Sequence, residues 1–373
     1  MSTTTTPRRL GRRLAALALA ACGLAAATTG GTAGAIVAPP DALAFIPTAG
    51  LVTYVYRDGS TTSITGTGTY AKSLPGQFDA TPGGDLFLYN PGGGADGVLH
   101  VDWSGSSTSL SFTPMTVSGT FTPVVGDFDG NGVDDILWYA PGSAADYLWR
   151  FDAAGGHTTV RVSVGGTYKP IVIDANGDGR QDIVWYAPGA GADSIWLFKA
   201  DASHTSKAVS IGGSYTPVVG EFGAVAAGAP PEGIVFFNPA GADYLWTFTS
   251  SAGHTSDPLP NVDGNYQLLP GQFIEETYGS LFYYGAGSLP EHLFAFGPGA
   301  GPDISEQEVP SISGAYTMTT ADFDGNQLSD LSLSSGTSTT RLWKFQFDGS
   351  IVSQAVTSIP PSSYPVAVDM GTG

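Results

Sequence analysis

Three short loops in this chain carry oxygen-bearing side chains at a spacing that could surround a single metal ion. Each has Asp or Asn at its positions 1, 3, 5 and 9, and the residue at position 7 would add its backbone carbonyl. The residues at these positions are Asp127, Asp129, Asn131, Val133 and Asp135 in the first loop, Asp174, Asn176, Asp178, Arg180 and Asp182 in the second, and Asp322, Asp324, Asn326, Leu328 and Asp330 in the third. Calcium prefers about six to eight hard oxygen ligands in a flexible shell, so the spacing predicts a structural Ca²⁺ in each loop.

These loops are not EF-hands. The position that closes an EF-hand with a bidentate glutamate is Trp138, Trp185 or Leu333 here, and the flanking runs favour strands over helices. An alternative that needs no ion is a set of Asx turns, in which the carboxylates accept hydrogen bonds from the loop backbone. The same spacing at three equivalent places favours calcium.

The loops belong to a longer segment that returns about every fifty residues, which indicates stacked or radially arranged units. Each unit contains short runs of β-branched and aromatic residues, such as Thr122–Val125 and Asp135–Tyr139, separated by Gly, Pro, Asp and Ser. An aromatic residue opens each of seven units, at Tyr70, Phe121, Tyr168, Tyr215, Tyr266, Tyr316 and Tyr364. We therefore predict an all-β fold, a seven-bladed β-propeller with four-stranded blades.

The last unit stops after its first strand, and the missing part stands at the other end of the chain. Asp41–Pro47 aligns with Asp135–Pro141 without a gap. Pairing of the N-terminal and C-terminal segments within one blade would close the ring, whereas an open solenoid needs polar caps. Residues 36–373 are thus predicted to be one propeller domain.

Residues 1–35 have the organisation of a secretory signal peptide. A basic start precedes the apolar stretch Leu14–Ala27, and Ala33 to Ala35 offer a small-residue cleavage site. We expect a secreted, extracellular protein of bacterial type. Cys22, the single cysteine, follows Leu-Ala-Ala as in a lipobox, so the alternatives are a lipid-anchored surface lipoprotein and an incidental Cys in a cleaved signal. Contact with a membrane is expected only through such an anchor.

The chain is strongly acidic, with a net charge of −19. The predicted signal holds arginines and no acid, so the mature protein would be more acidic still. This charge excludes nucleic-acid binding through a phosphate footprint. We expect a monomer whose partner is an extracellular protein or carbohydrate.

Signatures of an enzyme are weak. The sequence has no G-x-S-x-G, H-E-x-x-H or P-loop motif. Three His-Thr pairs, at His157, His204 and His254, could line equivalent ligand sites, but a role in starting the fourth strand of each unit is favoured. Acid pairs such as Glu306 and Glu308 leave glycosidase chemistry open, although we interpret both as solvated loop residues.

The loop pattern and its place between the first two strands of the unit resemble the FG-GAP (VCBS-type) repeat. This repeat builds the integrin α-subunit propeller and occurs in many secreted bacterial proteins. Gly126–Gly132 and Ala140–Gly142 carry the resemblance, which extends from about Asp41 to Gly373. It implies calcium at the three loops; since the sequence also lacks a catalytic motif, we assign no catalytic residues.

Three other loops depart from the pattern. Gln77–Asp85 keeps two acids but has Gln at position 1, and the loops after Glu221 and Gln272 lack the ligand set, so we expect no calcium there. Departure from a repeat is also a common mark of function. Glu221–Gly233 and Gln272–Ser280 are therefore candidate functional surfaces.

Three functions fit these observations. The first is a non-catalytic binding or adhesion module for a protein or glycan. The second is a lectin with sugars between blades, using aromatic residues such as Tyr139, Tyr186 and Phe237 together with the His-Thr pairs. The third is a secreted polysaccharide hydrolase or lyase, which would need non-repeated polar residues at one end of the channel.

Overall fold

A computed structural model describes residues 40–47, 52–104, 107–222, 232–275, 279–297, 303–337, 339–357, 359 and 363–370. The predicted signal peptide with Cys22, and residues 223–231 of the Glu221–Gly233 candidate surface, lie outside the described residues. The described residues form seven antiparallel four-stranded sheets and no helix, which confirms the predicted all-β propeller. Within them, no helical segment has the length and hydrophobicity that crossing a bilayer requires.

Each sheet is one blade whose four strands run outward from the central channel. The strands in the first half of the chain are β1 (Ala42–Pro47), β2 (Val52–Arg57), β3 (Ser60–Thr65), β4 (Lys72–Gly76), β5 (Gly83–Tyr89), β6 (Asp96–Ser104), β7 (Ser107–Met115), β8 (Thr122–Gly126), β9 (Asp135–Tyr139), β10 (Asp146–Phe151), β11 (His157–Val162), β12 (Lys169–Ile173), β13 (Asp182–Tyr186), β14 (Asp193–Phe198) and β15 (His204–Val209). Those in the second half are β16 (Thr216–Gly220), β17 (Gly233–Phe237), β18 (Tyr244–Phe248), β19 (His254–Pro258), β20 (Gln267–Gly271), β21 (Gly279–Tyr284), β22 (His292–Gly297), β23 (Asp303–Gln307), β24 (Thr317–Ala321), β25 (Asp330–Ser334), β26 (Thr339–Phe345), β27 (Ile351–Thr357) and β28 (Ser363–Val368).

The ring is closed by the two ends of the chain. Blade 1 has the strand order β28-β1-β2-β3, and blades 2 to 7 take the remaining strands four at a time in chain order. The innermost strands of neighbouring blades contact each other around the whole ring, including β24 with β28 and β28 with β4. Ring closure by the terminal segments is thus confirmed.

The register of the closing blade corrects one detail of the sequence alignment. Ala42 lies opposite Val368, just as Asp135 lies opposite Gly126 in blade 3. Asp41 therefore takes the place of Asp134, one residue away from the predicted match with Asp135. Because position 9 of this blade is Ala42, blade 1 lacks the carboxylate that ends each candidate calcium loop.

The hydrophobic core lies between blades. The second strands read as continuous apolar runs, and β9 (DILWY) and β13 (DIVWY) are buried along their whole length because neighbours cover both faces. One cluster joins Leu137 and Tyr139 of blade 3 to Ile183 and Trp185 of blade 4. Burial of each such side chain contributes about 2–3 kcal/mol, so apolar packing between blades holds the ring together.

The antiparallel order divides the loops between two ends of the ring. Loops between the first and second strands, which include the candidate calcium loops, share one end with the turns between the third and fourth strands. We call it the calcium-loop face. Loops between the second and third strands share the opposite end, the connection face, with the links from one blade to the next.

A recurring hydrogen-bonded pair joins neighbouring blades on the calcium-loop face, and we call it the blade latch. At position 8 of a loop, the Asp134 backbone N–H donates to the Gln77 carbonyl of the preceding blade at 2.6 Å, and Asp134 Oδ2 accepts from Gln77 N at 2.7 Å. Asp41 repeats both bonds with Asp322 at 2.7 and 2.8 Å. Ser329 pairs with Gln272 in the same way, and Glu232 Oε2 accepts from Asp174 N at 2.7 Å.

On the connection face, tyrosine hydroxyls join the blades. Tyr139 Oη donates to the Gly166 carbonyl at 2.8 Å and accepts from Tyr168 N at 2.9 Å. The same two-way bond is made by Tyr89, Tyr186 and Tyr284. Each blade interface that one of these tyrosines joins is therefore hydrogen-bonded on the connection face in addition to its apolar packing.

Replacement of Asp41 by Ala should destabilise the ring at its closing blade. The change leaves the Asp322 and Met370 backbone N–H groups without the carboxylate oxygens that accept from them at 2.8 and 3.1 Å. We expect a loss of about 2–4 kcal/mol in the free energy of unfolding, measured by urea titration in EDTA. Glu308→Ala, an exposed control, should change stability by less than about 0.5 kcal/mol. Equal stability of the two variants would contradict the latch.

Candidate metal sites

The blade 3 loop is shaped by its first carboxylate. Asp127 Oδ1 accepts from Gly130 N at 2.8 Å and from Asn131 N at 3.1 Å, and its Oδ2 accepts from Gly132 N at 2.9 Å. Both glycines have positive φ, 75° and 84°, which they adopt without the strain of a side chain. The Asx turn expected as the ion-free alternative is therefore present, and it places the remaining acids around one point.

Three carboxylates converge in this loop. Each of Asp127, Asp129 and Asp135 offers one oxygen within 4.8 Å of the others. Asp135 is fully buried; its Oδ1 accepts from Phe151 N at 3.0 Å, whereas its Oδ2 has no hydrogen-bond partner. Burial, reinforced by the Asp129 charge, raises the pKa of Asp135 to about 8. A buried, unpartnered carboxylate oxygen costs about 1–3 kcal/mol, and a bound cation would remove that cost, so these residues fit calcium.

The blade 7 loop repeats the arrangement. Asp322 accepts from Gly325, Asn326 and Gln327 backbone N–H groups at 2.7–3.1 Å. One oxygen each of Asp322, Asp324 and Asp330 again lies within 4.8 Å of the others. Burial raises the pKa of Asp330 to about 8, so a cation that keeps it ionised would stabilise the fold.

The other predicted ligands of these two loops mainly support the turn. Asn131 Nδ2 donates to the Phe151 carbonyl at 2.9 Å, and Asn326 Nδ2 donates to the Phe345 carbonyl at 2.7 Å. The position 7 side chains, Val133 and Leu328, are buried against the preceding blade. The loops are thereby anchored on their own blade and on its neighbour.

The blade 4 loop has the same turn but different charge pairing. Asp174 accepts from Gly177 N at 2.7 Å and Gly179 N at 2.9 Å, as in the other loops. Asp182 accepts from two backbone N–H groups, as Asp330 does in blade 7. The difference is that the Asp178 carboxylate pairs with the Arg180 guanidinium. Among the described residues, three acids converge in two of the three predicted loops and not in this one. Calcium at Asp174, Asn176, Asp178 and Asp182 stays a prediction.

A cluster that sequence reasoning missed lies in the Gln77–Asp85 loop of blade 2. His100 Nδ1 is 2.9 Å from Asp85 Oδ1 and 3.2 Å from Asp79 Oδ2, and its Nε2 is 3.1 Å from Thr113 Oγ1. The hydrogen bond to Asp85 raises the pKa of His100. Since Gln77 at position 1 donates to the Asp79 and Thr81 carbonyls at 2.8 Å, the loop is held without a first carboxylate. The strand register would have revealed this pair, because His100 stands directly opposite Asp85 on the third strand.

Side-chain cations also meet the acids of blade 3. Arg150, which follows Trp149 on β10, donates from Nε to Asp129 Oδ2 at 2.9 Å. Three acidic loops each have one basic side chain beside a carboxylate. Arg150 and His100 occupy the same third-strand position in blades 3 and 2, opposite position 9 of the loop, whereas Arg180 is position 7 of the blade 4 loop itself. Three clusters among the described residues have donor atoms spaced to hold a metal ion. They are Asp127 with Asp129 and Asp135, Asp322 with Asp324 and Asp330, and Asp79 with Asp85 and His100.

The His-Thr pairs begin the fourth strands, as the favoured interpretation predicted, and their histidines also have a packing role that the prediction did not include. His157, His204 and His254 open the fourth strands and stack on Trp149, Trp196 and Trp246, with ring centroids 4.0, 3.7 and 3.7 Å apart. Burial lowers the pKa of all three imidazoles. The aromatic residues that we considered for stacking on sugars, Tyr139, Tyr186 and Phe237, are buried at the blade interfaces, so this part of the lectin hypothesis is wrong.

The structure also corrects the interpretation of Glu306. It lies on strand β23, not in an irregular loop, and it pairs with His292 at 2.7 Å. Gln272–Ser280 includes β21 residues as well as residues 276–278, which lie outside the described residues.

Comparisons with known proteins support the repeat and the fold. Residues 169–198, which span β12 to β14 of blade 4, match the FG-GAP repeat. No curated protein sequence matches the chain. A protein of unknown function from Desulfotomaculum acetoxidans is similar in structure, with a TM-score of 0.56 and 8% identity, covering 88% of this chain and 99% of that chain. A protein from Lactobacillus plantarum has a TM-score of 0.53, 10% identity and the same coverage of 88% and 99%.

These likenesses define the class of protein. At such low identities the similar structures show the fold alone. The chain is a seven-bladed β-propeller that contains an FG-GAP repeat.

Calcium should stabilise the protein. Asp135→Asn tests the blade 3 site, because it removes a carboxylate and keeps the size and shape of the side chain. We expect calcium to raise the unfolding midpoint, since a ligand at 1,000 times its Kd adds about 4 kcal/mol per site. Asp135→Asn should reduce this rise while increasing stability in EDTA at neutral pH, because Asp135, whose pKa is raised to about 8, must take up a proton or hold a buried charge on folding, and Asn need not. The measurement is thermal unfolding with calcium or EDTA, with Glu308→Gln as the exposed control. An unchanged calcium response in Asp135→Asn would argue against the blade 3 site.

His100 should stabilise blade 2 in a pH-dependent manner. Its pKa is raised above 6.5 in the folded protein, so its contribution is fully present below pH 6.5 and is lost as pH rises through the folded pKa. We expect His100→Gln to cost about 1.5–3 kcal/mol at pH 5.5 and clearly less at pH 8.5, measured by urea unfolding in EDTA. A cost that is independent of pH would mean that His100 acts only through packing.

Proposed function

We propose that this chain is an extracellular, calcium-stabilised propeller that binds a protein or carbohydrate ligand without changing it chemically. The signal-like residues 1–35 support export, with or without a lipid at Cys22. The net charge of −19 supports a partner other than nucleic acid. In this proposal the protein acts as a monomer, since a closed ring satisfies its own sheet interfaces.

The observation that carries the proposal is the use of buried acids as framework. Asp146 Oδ1 accepts from Ala140 N at 2.7 Å, and its Oδ2 accepts from Val164 N at 2.8 Å, which ties a loop of the connection face to the link with the next blade. Asp96, Asp193 and Asp243 repeat this pair of bonds. A carboxylate with both oxygens bound to backbone N–H groups is poorly placed to act as a general acid, base or nucleophile. Sequence reasoning did not assign this role to the third-strand acids.

Calcium would act as a structural ion in this proposal. Asp127, Asp129 and Asp135 would hold it in blade 3, and Asp322, Asp324 and Asp330 in blade 7. When bound, the ion supplies positive charge and coordination that offset repulsion among the clustered acids. The ions would thereby stabilise the ring as a whole and hold the blades that form a ligand site in one arrangement, which lowers the ordering cost of ligand binding.

The test is binding and turnover by the full chain. We expect saturable binding to at least one ligand on glycan or extracellular-protein arrays, and recovery of that ligand unchanged after prolonged incubation. Binding should weaken in EDTA in step with the loss of thermal stability. Cleavage of a polysaccharide by the purified chain would overturn the proposal, as would the absence of binding to either class of ligand.

A further inference from the structure

We propose that the cavity between blades 5 and 6 binds a neutral saccharide; this inference rests on the proposed function and names its site. The cavity has a volume of about 440 Å³, within the usual range for small-ligand sites. One wall is formed by the link between the two blades, including Asn261, Asp263 and Tyr266. The other is one face of blade 6, on β22 and β23.

The cavity exists because blade 6 departs from the repeat at two packing positions. In blades 3 to 5, a Trp of the third strand is covered by the stacked His that opens the fourth strand. The corresponding residues of blade 6 are Phe294, in place of Trp246, and Ile304, which faces Phe296 as His157 faces Phe151. An indole and an imidazole are thus replaced by a smaller ring and an aliphatic side chain, and the space is open to solvent.

Blade 6 also gains polar groups at the same place. His292 occupies the position of Tyr147 in blade 3, and Glu306 occupies that of Thr159. His292 Nδ1 is 2.7 Å from Glu306 Oε1, and its ring lies 5.7 Å from that of Tyr266. Loss of bulk and gain of polarity at one site indicate a ligand, since a packing defect alone would not require a paired acid and imidazole.

The arrangement of charges favours a neutral ligand with many hydroxyl groups. Each carboxylate already has one polar partner, because Asn261 Nδ2 donates to Asp263 Oδ1 at 3.0 Å and His292 Nδ1 lies 2.7 Å from Glu306 Oε1. Their remaining oxygens accept no hydrogen bond from the described residues and can accept from ligand hydroxyls. Two carboxylates repel a phosphate or sulfate, while their existing partners weaken the attraction for an organic cation. The Phe294 and Ile304 side chains provide an apolar floor for the C–H face of a sugar ring.

Blade 4 serves as the control within the same molecule. There Trp196 and His204 stack with centroids 3.7 Å apart and an interplanar angle of 12°. Ser194 and Ser206 stand where blade 6 has His292 and Glu306. The blade 4 position therefore has neither the space nor the His–Glu pair, and we expect no ligand there.

The experiment is isothermal titration calorimetry of the full chain with a panel of neutral mono- and disaccharides, together with N-acetylhexosamines, a uronic acid, inorganic phosphate and choline. We expect at least one neutral sugar to bind to the wild type. The double variant Phe294→Trp/Ile304→His restores the residues of blades 3 to 5, and it should weaken that binding more than tenfold while keeping the unfolding midpoint. Glu306→Gln should weaken it about tenfold, the equivalent of one hydrogen bond to a charged group. Glu308→Gln should not change it.

The outcomes separate this inference from the proposed function. Binding of a protein but of no neutral sugar would overturn the inference and leave the function standing. Sugar binding that survives both Phe294→Trp/Ile304→His and Glu306→Gln would move the site elsewhere on the ring. Preference for choline or phosphate would overturn the ligand class. If the double variant does not fold, Glu306→Gln together with Tyr266→Phe decides the matter.

Discussion

The structure depends on the satisfaction of backbone groups where one blade meets the next. A loop at the edge of a four-stranded sheet has N–H and C=O groups that its own sheet cannot pair, and the blade latch pairs them with position 8 of the following loop. Tyrosine hydroxyls make equivalent bonds on the connection face. The single cysteine, Cys22, excludes an intramolecular disulfide, so these bonds and inter-blade packing must hold the ring closed.

Because carboxylates make many of these hydrogen bonds, acidic side chains lie close together, and positive charge is needed to offset their repulsion. Carboxylates accept from backbone N–H groups at the latch, at the third strands and within the Asx turns, which suits an acidic chain. Arg150 and His100 contact two of the acidic loops from the same third-strand position, and Arg180 contacts a third from position 7 of its own loop. Calcium would perform the same role at the remaining convergent oxygens, most clearly at Asp135 Oδ2, which has no protein partner. The acidic loops therefore differ in the basic side chain that lies beside their carboxylates.

Regular and irregular units have different roles in such an array. Residues at repeated positions provide the packing and hydrogen bonding between and within blades, as the stacked His and Trp pairs of blades 3 to 5 illustrate. Blade 6 gives up one of these stacks, and the ring tolerates the change because its inner strand and its Tyr284 bond to the next blade are retained. A closed ring can thus lose bulk at one outer interface and open a cavity there without losing its fold.

The sequence by itself determined the period, the blade number, the strands and the closing pair, because each blade is a local meander whose apolar runs and turn residues lie within about fifty residues. It also located the Asx turns around Asp127, Asp174 and Asp322, whose hydrogen bonds span five residues or fewer. Only the tertiary structure decided which side chains meet. The His100–Asp85 pair depends on strand register, Asp134 reaches Gln77 across a blade interface, and the blade 6 cavity depends on the volumes of facing side chains. These contacts join distant residues through packing geometry, which no spacing along the chain encodes.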